Sequence, residues 1–385
     1  MKVALLTWES LHSIRVGGVA VHVSELASAL ARKGHEVHVF TRMGARQQPY
    51  EHIHGVHYHH CGVRLDPDFI EEIHGMCRSL VHYVFQTEDF IGPFDVVHAH
   101  DWLTASAMIW IKQGRGRKTV FTFHSTEYGR SGNHFLEGRS RRVREQERAA
   151  TYWADRVITV SHSLKREIMW MYETPEWKIS TIYNGVNVHD YDGFINPGEI
   201  KARYGIGPTD PTILFSGRIV HQKGPDVLVE AIPALVRHYP SAKFIFAGDG
   251  EMRQPLEIRA HQLGVAHATR FLGFKNGSEL TNLYKACDVV CMPSRNEPFG
   301  IVVLEAWSAG KPVVVTRNGG PDEFVWHEVN GLKISPIPNS VAWGIGTVFT
   351  NFEWARWMGR NGRIAAETVF SWDSVANHVV QVYTQ

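Results

Sequence analysis

Cys287-Asp288-Val289-Val290-Cys291-Met292, followed closely by Glu297-Pro298-Phe299-Gly300-Ile301-Val302-Val303-Leu304-Glu305, joins an apolar strand-like run to an apolar run of helical length. Pro298 fits a helix start, where its missing N–H would have no partner in any case. Two carboxylates, Glu297 and Glu305, stand eight positions apart, one in the loop and one about two turns into the helix. A helix N-terminus offers backbone donors and the positive end of the dipole to an anion. The carboxylates are therefore not there for a phosphate. They suit hydroxyl groups, so the stretch predicts a ligand that carries both phosphate and sugar hydroxyls.

Outward from this stretch, strand-like runs at 212–215, 243–247, 269–272, 288–292 and 312–316 alternate with helical patterns. The first half does the same, with strands at 3–6, 36–40, 56–61, 95–98, 119–123, 156–160 and 179–182. Val- and Ile-rich strands alternating with helices predict an α/β fold with parallel sheets covered on both faces. Turn formers crowd residues 184–211, including Asn184-Gly185, Asp192-Gly193 and Asn196-Pro197-Gly198, and mark a linker. The reading is two doubly wound, Rossmann-like domains, 1–190 and 191–368, with a last helix at 369–385. Ligands of such sheets bind outside the strand C-termini, so two facing domains would form an interdomain cleft.

Composition narrows the function. The 385 residues are 44% hydrophobic and 21% charged, with a formal net charge of +1, which fits a globular protein and argues against a nucleic-acid partner. Cys61, Cys77, Cys287 and Cys291 have no metal-binding CxxC spacing and read as buried thiols of a reducing compartment. No apolar run reaches the length of a membrane span, and a cytoplasmic location is expected. The cluster from His52 to His60 alternates like an edge strand, which sends neighbouring rings to opposite faces.

Chemistry gathers at strand ends. Gly17-Gly18 precedes the first helix, where a backbone can approach a phosphate; it is not a GxGxxG fingerprint. Ser216-Gly217-Arg218 through Lys223-Gly224 occupies the matching place in the second half, and its two cations suit a diphosphate. His98-Ala99-His100-Asp101-Trp102 and Phe123-His124-Ser125 end successive strands. His100 is the better ligand contact, His98 reads as core, and Asp101 as an N-cap. Arg139, Arg141, Arg142, Arg144 and Arg148 share a helix with Glu145 and Glu147; a solvated face is expected, with a membrane surface as the less favoured partner.

Together these residues resemble the retaining glycosyltransferases of sequence family four, in their glycogen- and starch-synthase-like branch, with the GT-B fold. The resemblance spans the chain and rests on Gly17-Gly18, His98-Ala99-His100-Asp101-Trp102, Asn184-Gly185-Val186, Ser216-Gly217-Arg218 with Lys223, and Glu297-Pro298-Phe299-Gly300 with Glu305. It implies that Arg218 and Lys223 hold the donor diphosphate and that Glu305 binds ribose hydroxyls. Glu297 and the Phe299-Gly300-Ile301 backbone would hold donor sugar and phosphate, Phe274 would line the base, and Gly17 and Gly18 would close on the phosphates. His100 would contact the transferred sugar, with Asp101, His124 and Asn184 on the sugar or acceptor side. No cofactor and no metal are implied, and the last helix, 369–385, would cross back to the first domain. The co-substrate would be UDP- or ADP-glucose and the acceptor a saccharide or other small molecule. Two positions depart from those synthases: Arg15-Val16 precedes Gly17 where a Lys is common, and Leu103 follows Trp102 where a His is common. The alternatives are a nucleotide-sugar epimerase of the same fold and a non-catalytic nucleotide-binding protein.

Overall fold

In the computed structural model, which describes residues 1–385, Val3 to Leu6 of β1 (Lys2–Leu6) are wholly inaccessible to solvent. Their position explains this. The first sheet runs β3-β4-β2-β1-β5-β6-β7-β8, with β1 at its centre. Its elements in order are α1 (Gly18–Arg32), β2 (Glu36–Arg42), β3 (Tyr50–Ile53), β4 (Val56–Cys61), α2 (Phe69–Ile91) and β5 (Val96–His100). Then come α3 (Ala105–Arg115), β6 (Thr119–Phe123), α4 (Glu127–Arg130), α5 (Arg139–Trp153), β7 (Arg156–Thr159), α6 (His162–Tyr172) and β8 (Ile179–Thr181). Only the β3–β4 hairpin is antiparallel. Leu5 lies level with Val39 on one side and His98 on the other. The strand order reverses direction between β1 and β5, which places this sheet's ligand crevice beyond the C-terminal ends of those two strands.

The second unit repeats the plan with α7 (Pro197–Ala202), β9 (Thr212–Ser216), α8 (Pro225–His238), β10 (Lys243–Ala247), α9 (Arg253–Gln262) and β11 (Thr269–Gly273). It continues with α10 (Gly277–Ala286), β12 (Val289–Met292), α11 (Ile301–Ser308), β13 (Val313–Thr316), α12 (Pro321–Phe324), β14 (Leu332–Ile334), α13 (Pro338–Thr350) and α14 (Phe352–Val369). All six strands are parallel, in the order β11-β10-β9-β12-β13-β14. Here the reversal falls between β9 and β12. Val- and Phe-rich strands pack against α8 and α13 in one core that includes Phe215, Phe244, Phe246, Leu228 and Ile345.

The chain divides as Met1–Gly185 with Trp372–Gln385, and Val186–Ser371, against the expected 1–190, 191–368 and 369–385. The 184–211 stretch is mostly not a linker. Buried Lys201 pairs with Asp288 at 2.9 Å, and Lys285 donates to the carbonyls of Asp192 and Gly193, so its turns are built into the second unit. Helix α15 (Trp372–Thr384) belongs to the first unit: Trp372, Val375, Ala376, Val379 and Val382 pack in one core with Val23, Leu26 and Leu30 of α1.

Two long helices are absent from the sequence reading, α2 and α6. Both have readable starts, since Asp68 accepts from Ile70 N–H and Ser161 from Leu164 N–H. Their polar faces and the His and Cys residues of α2 dilute the apolar stripe. Along α5, Arg141 pairs with Glu145 and Arg142 with Asp68 and Glu71, as a solvated face would. Glu147 is the exception. It is fully buried and accepts from Arg130, Tyr172 and Glu127 N–H.

Candidate active site

In the second unit the loops after β9 and β12 meet at the strand reversal. Lys223 Nζ lies 3.0 and 2.8 Å from the two carboxylate oxygens of Glu297. Ser294 Oγ donates to the same carboxylate at 3.0 Å. Glu297 is 5% exposed, so a buried carboxylate is matched by one cation and one hydroxyl. Arg218 is exposed, with a single 3.4 Å contact to Gln222, and its guanidinium projects from the same loop. Arg295 grips Asp226 at 2.8 and 2.5 Å, tying the β12 loop to the first turn of α8.

Two glycines allow this approach. Gly224 has φ +67°, and a Cβ there would sit 2.1 Å from the Pro293 carbonyl oxygen. Gly319 has φ +93° and would meet the Glu297 carbonyl oxygen at 2.0 Å. The loop after β13 can thus lie against Glu297, whose carbonyl also accepts Gly320 N–H at 2.8 Å. Any side chain would push the carboxylate out of register.

Helix α11 starts at Ile301, after Gly300 at φ +96°. Pro298 is therefore not in the first turn, because left-handed Gly300 stops the helix from extending back to it. Glu305 consequently lies about one turn in, not two. Its carboxylate accepts the Tyr284 hydroxyl at 2.6 Å, which fixes its orientation. The first turn of α11 has no acidic residue and no side-chain cap. Phe299 is buried against Phe324 and Phe370, leaving only its backbone for a ligand. Phe274 is 54% exposed just past β11.

The first unit gathers histidines at its own strand reversal. His100, at the end of β5, places Nδ1 3.2 Å from His124 Nε2. His22 of α1 stacks edge-on to His124 with ring centroids 4.5 Å apart, and its Nδ1 lies 2.7 Å from Asn184 Oδ1. His98 is satisfied by Tyr383 and Thr122, at 2.7 and 2.6 Å, and is core as expected. His100 Nε2 is buried with no hydrogen-bond partner, at a cost of about 1–3 kcal/mol until something binds it. Burial first, then neighbouring imidazoles, hold His22, His98 and His100 well below the usual histidine range; burial alone brings His124 down to about 3.

Asp101 is not a side-chain N-cap. At φ 58° its carboxylate turns to accept His124 N–H at 2.8 Å, and burial pushes it up to about 6 against the pull of Arg130. The Gly17-Gly18 loop is also arranged differently from the expectation of amides aimed at a phosphate. Glu9, 5% exposed, accepts Val16 N–H and Gly17 N–H at 2.6 Å each. The anion at this helix N-terminus is the protein's own. In the His52–His60 stretch, His57 and His59 stack with His38 of β2, the strand parallel to β4, and the stretch brings no three ligand atoms together.

Residues 16–190 match the model described as Glycosyltransferase Family 4, and residues 197–365 the model described as Glycosyl transferases group 1. An uncharacterized glycosyltransferase of Methanocaldococcus jannaschii is 40% identical over 387 residues, covering 100% of this chain and 98% of that one. The chain is a family-four glycosyltransferase. The glycogen synthase of Mycobacterium tuberculosis is 31% identical, with 100% of this chain and 94% of that protein covered. Among solved structures, sucrose-phosphate synthase from Thermosynechococcus elongatus superposes with a TM-score of 0.84 at 23% identity, over 100% and 98% of the two chains. The fold of this glycosyltransferase is GT-B. No helix in it is long and apolar enough to cross a membrane.

Three residues around the sites of this glycosyltransferase went unread in the sequence. Glu9 accepts from Gly17, eight positions away, while His22 meets His100 and His124, which lie far along the chain. Tyr284 ends a helix with no motif of its own. His22 and Tyr284 are placed by contacts distant in sequence, to His100 and His124 and to Glu305, and Glu9 by the way its loop returns to Gly17.

Proposed function

We propose that this protein is a retaining hexosyltransferase, moving a glucosyl unit from UDP- or ADP-glucose to a hydroxyl of a saccharide or other small acceptor. The observation that carries the reading is the set Arg218, Lys223, Glu297 and Glu305 at one strand reversal, two cations and two oriented carboxylates beside an uncapped helix N-terminus. The 31% identity to a glycogen synthase along the whole chain supports glucose as the transferred sugar.

In this reading Arg218 and Lys223 neutralise the diphosphate, Glu305 takes ribose hydroxyls, and Glu297 holds the sugar with the Gly300 and Ile301 backbone. Breaking the anomeric C–O bond sends its electron pair to the nucleoside diphosphate and leaves oxocarbenium character on the sugar. Preorganised cations and amides stabilise the departing charge. The acceptor hydroxyl attacks the same face, and its proton passes to the leaving phosphate oxygen, which retains configuration. No metal is required by this scheme, because side-chain cations do its work. His100, with Asp101, His124 and Asn184, forms the sugar and acceptor side. Contact between a phosphate and Gly17 would displace Glu9 from its amide, so Gly18 is the stronger of that pair. Four free, buried cysteines fit a cytoplasmic enzyme.

A thermal-shift series with UDP-, ADP- and GDP-sugars tests the donor. A ligand at a hundred times its dissociation constant adds about 2.7 kcal/mol, so one nucleotide should stand apart. Proton NMR of the product then reads the anomeric configuration. An inverted product, or a changed sugar formed without any acceptor, would remove the proposal.

A further inference from the structure

We infer that His22, His100 and His124 form a binding site for a divalent transition-metal ion, with Zn²⁺ as its simplest occupant. One imidazole nitrogen from each ring lies within 4.8 Å of the other two. The three rings come from α1, the end of β5 and the residue after β6, so chain topology, not a local motif, assembles the set. His22 and His100 are 4% and 1% exposed, and neutral imidazole is the form that ligates zinc.

Two further observations point to a ligand. His100 Nε2 is buried without a hydrogen-bond partner, and His100 Nδ1 lies 3.2 Å from His124 Nε2, close to the spacing of two ligand atoms on one tetrahedral ion. His22 Nδ1 lies 2.7 Å from Asn184 Oδ1. A carbonyl oxygen there selects the tautomer with the proton on Nδ1 and leaves Nε2 as the donor. Such outer partners are how ligating histidines are oriented. Zinc–nitrogen bonds of about 2.0–2.1 Å require the nitrogens to draw closer than 4.8 Å.

Three protein ligands leave a fourth position open, which marks an exchangeable site and not a structural one. The site sits at the β1–β5 reversal, where His100 is read as the sugar contact. An ion there would therefore compete with the sugar and inhibit transfer reversibly. That consequence rests on the proposed function; binding of the ion does not.

The test uses full-length, metal-free protein titrated with Co²⁺ alone and followed by visible absorption. One ion per chain with a ligand-field band, displaced by Zn²⁺, is expected. His22→Ala and His124→Gln should each weaken binding by about 10–100-fold or more, with circular dichroism unchanged. Absence of a stoichiometric band, or affinity unchanged in whichever variant retains its fold, would overturn the site. Because the readout is spectroscopic, a failed glycosyltransfer assay leaves it intact, and a failed titration leaves the transfer proposal intact.

Discussion

Lys223 Nζ sits between both oxygens of Glu297, at 3.0 and 2.8 Å. Under the proposed function the lysine meant for the diphosphate is held by the carboxylate meant for the donor sugar. The pair is preorganised before any ligand arrives, and each member orients the other. Lys223→Ala and Glu297→Ala should each abolish transfer. Removing the lysine also strands a carboxylate that is 5% exposed, costing about 2 kcal/mol of stability. Chemical denaturation beside a transfer assay separates the two effects. Retained turnover in both variants would contradict the assignment.

The hydrogen bond from Tyr284 to Glu305 is 2.6 Å long, and under the proposed function it would make the tyrosine a positioning residue for the nucleotide. Tyr284→Phe should weaken nucleotide affinity by about tenfold, the equivalent of one charge-assisted hydrogen bond. The apparent KM for the donor should rise while the maximal rate stays near normal. Calorimetry showing unchanged affinity would argue that Glu305 orients itself without help.

At Gly224 both conformation and space forbid a side chain. Gly224→Ala places a methyl 2.1 Å from the Pro293 carbonyl oxygen on a left-handed backbone. The β9 and β12 loops would have to separate, costing roughly 2–4 kcal/mol. Thermal unfolding should show a fall of several degrees. An unshifted transition would mean that the two loops have slack.

Glu9 offers a test of the amino-terminal loop. Glu9→Ala leaves the Val16 and Gly17 amides without their acceptor. Hydrogen exchange at those two amides should accelerate by about tenfold or more, with the rest of the sheet unaffected. Equal protection in the variant would show that the loop is held by something other than this carboxylate.

Acid should weaken the first unit. The unfolded chain protonates histidine near pH 6.5, whereas His22, His98 and His100 stay neutral well below that when folded. Between those limits the unfolded state binds more protons, so stability falls as pH drops through 6.5. The limit is about 1.4 kcal/mol per pH unit for each ring. Asp101 and Glu147, raised to about 6 and about 7, and Glu9, also raised, work the other way. His38, lowered to about 4, and His59 and His124, lowered to about 3, add to the histidine side, so the lowered histidines outnumber the raised carboxylates. Urea midpoints at pH 7.5, 6.5 and 5.5 should therefore decline. A constant midpoint would show that these rings are protonated in the native state.

What the sequence discloses follows from how far a cause reaches along the chain. Strand and helix alternation is local, and the two Rossmann-like halves are legible from runs such as Val289–Met292 and Val313–Thr316. The Glu297–Glu305 spacing is local too, as is the Arg218–Lys223 loop. The helix start at 301 is not, because Gly300 is left-handed at a place where a Cβ would also meet Pro321 at 2.9 Å and Met292 at 3.3 Å, neighbours that no short window displays. The Asp101 carboxylate likewise abandons a cap for an amide twenty-three residues on. Contacts such as His22 with His124 depend on which strands become neighbours, and that of Glu9 with Gly17 on how the β1–α1 loop folds back.

Helix α15 packs on α1, in the same unit as the first strand, although 186 residues of the other unit, Val186–Ser371, are threaded between Gly185 and Trp372. During synthesis the second unit is complete before the first. The earlier-made half must wait with Val23, Leu26 and Leu30 uncovered until Trp372 to Tyr383 emerge. The nascent chain thus carries an open apolar face for the time needed to translate a whole domain, roughly ten to forty seconds at common elongation rates. Chaperone demand, and the yield of truncated or stalled chains, should be governed by that interval.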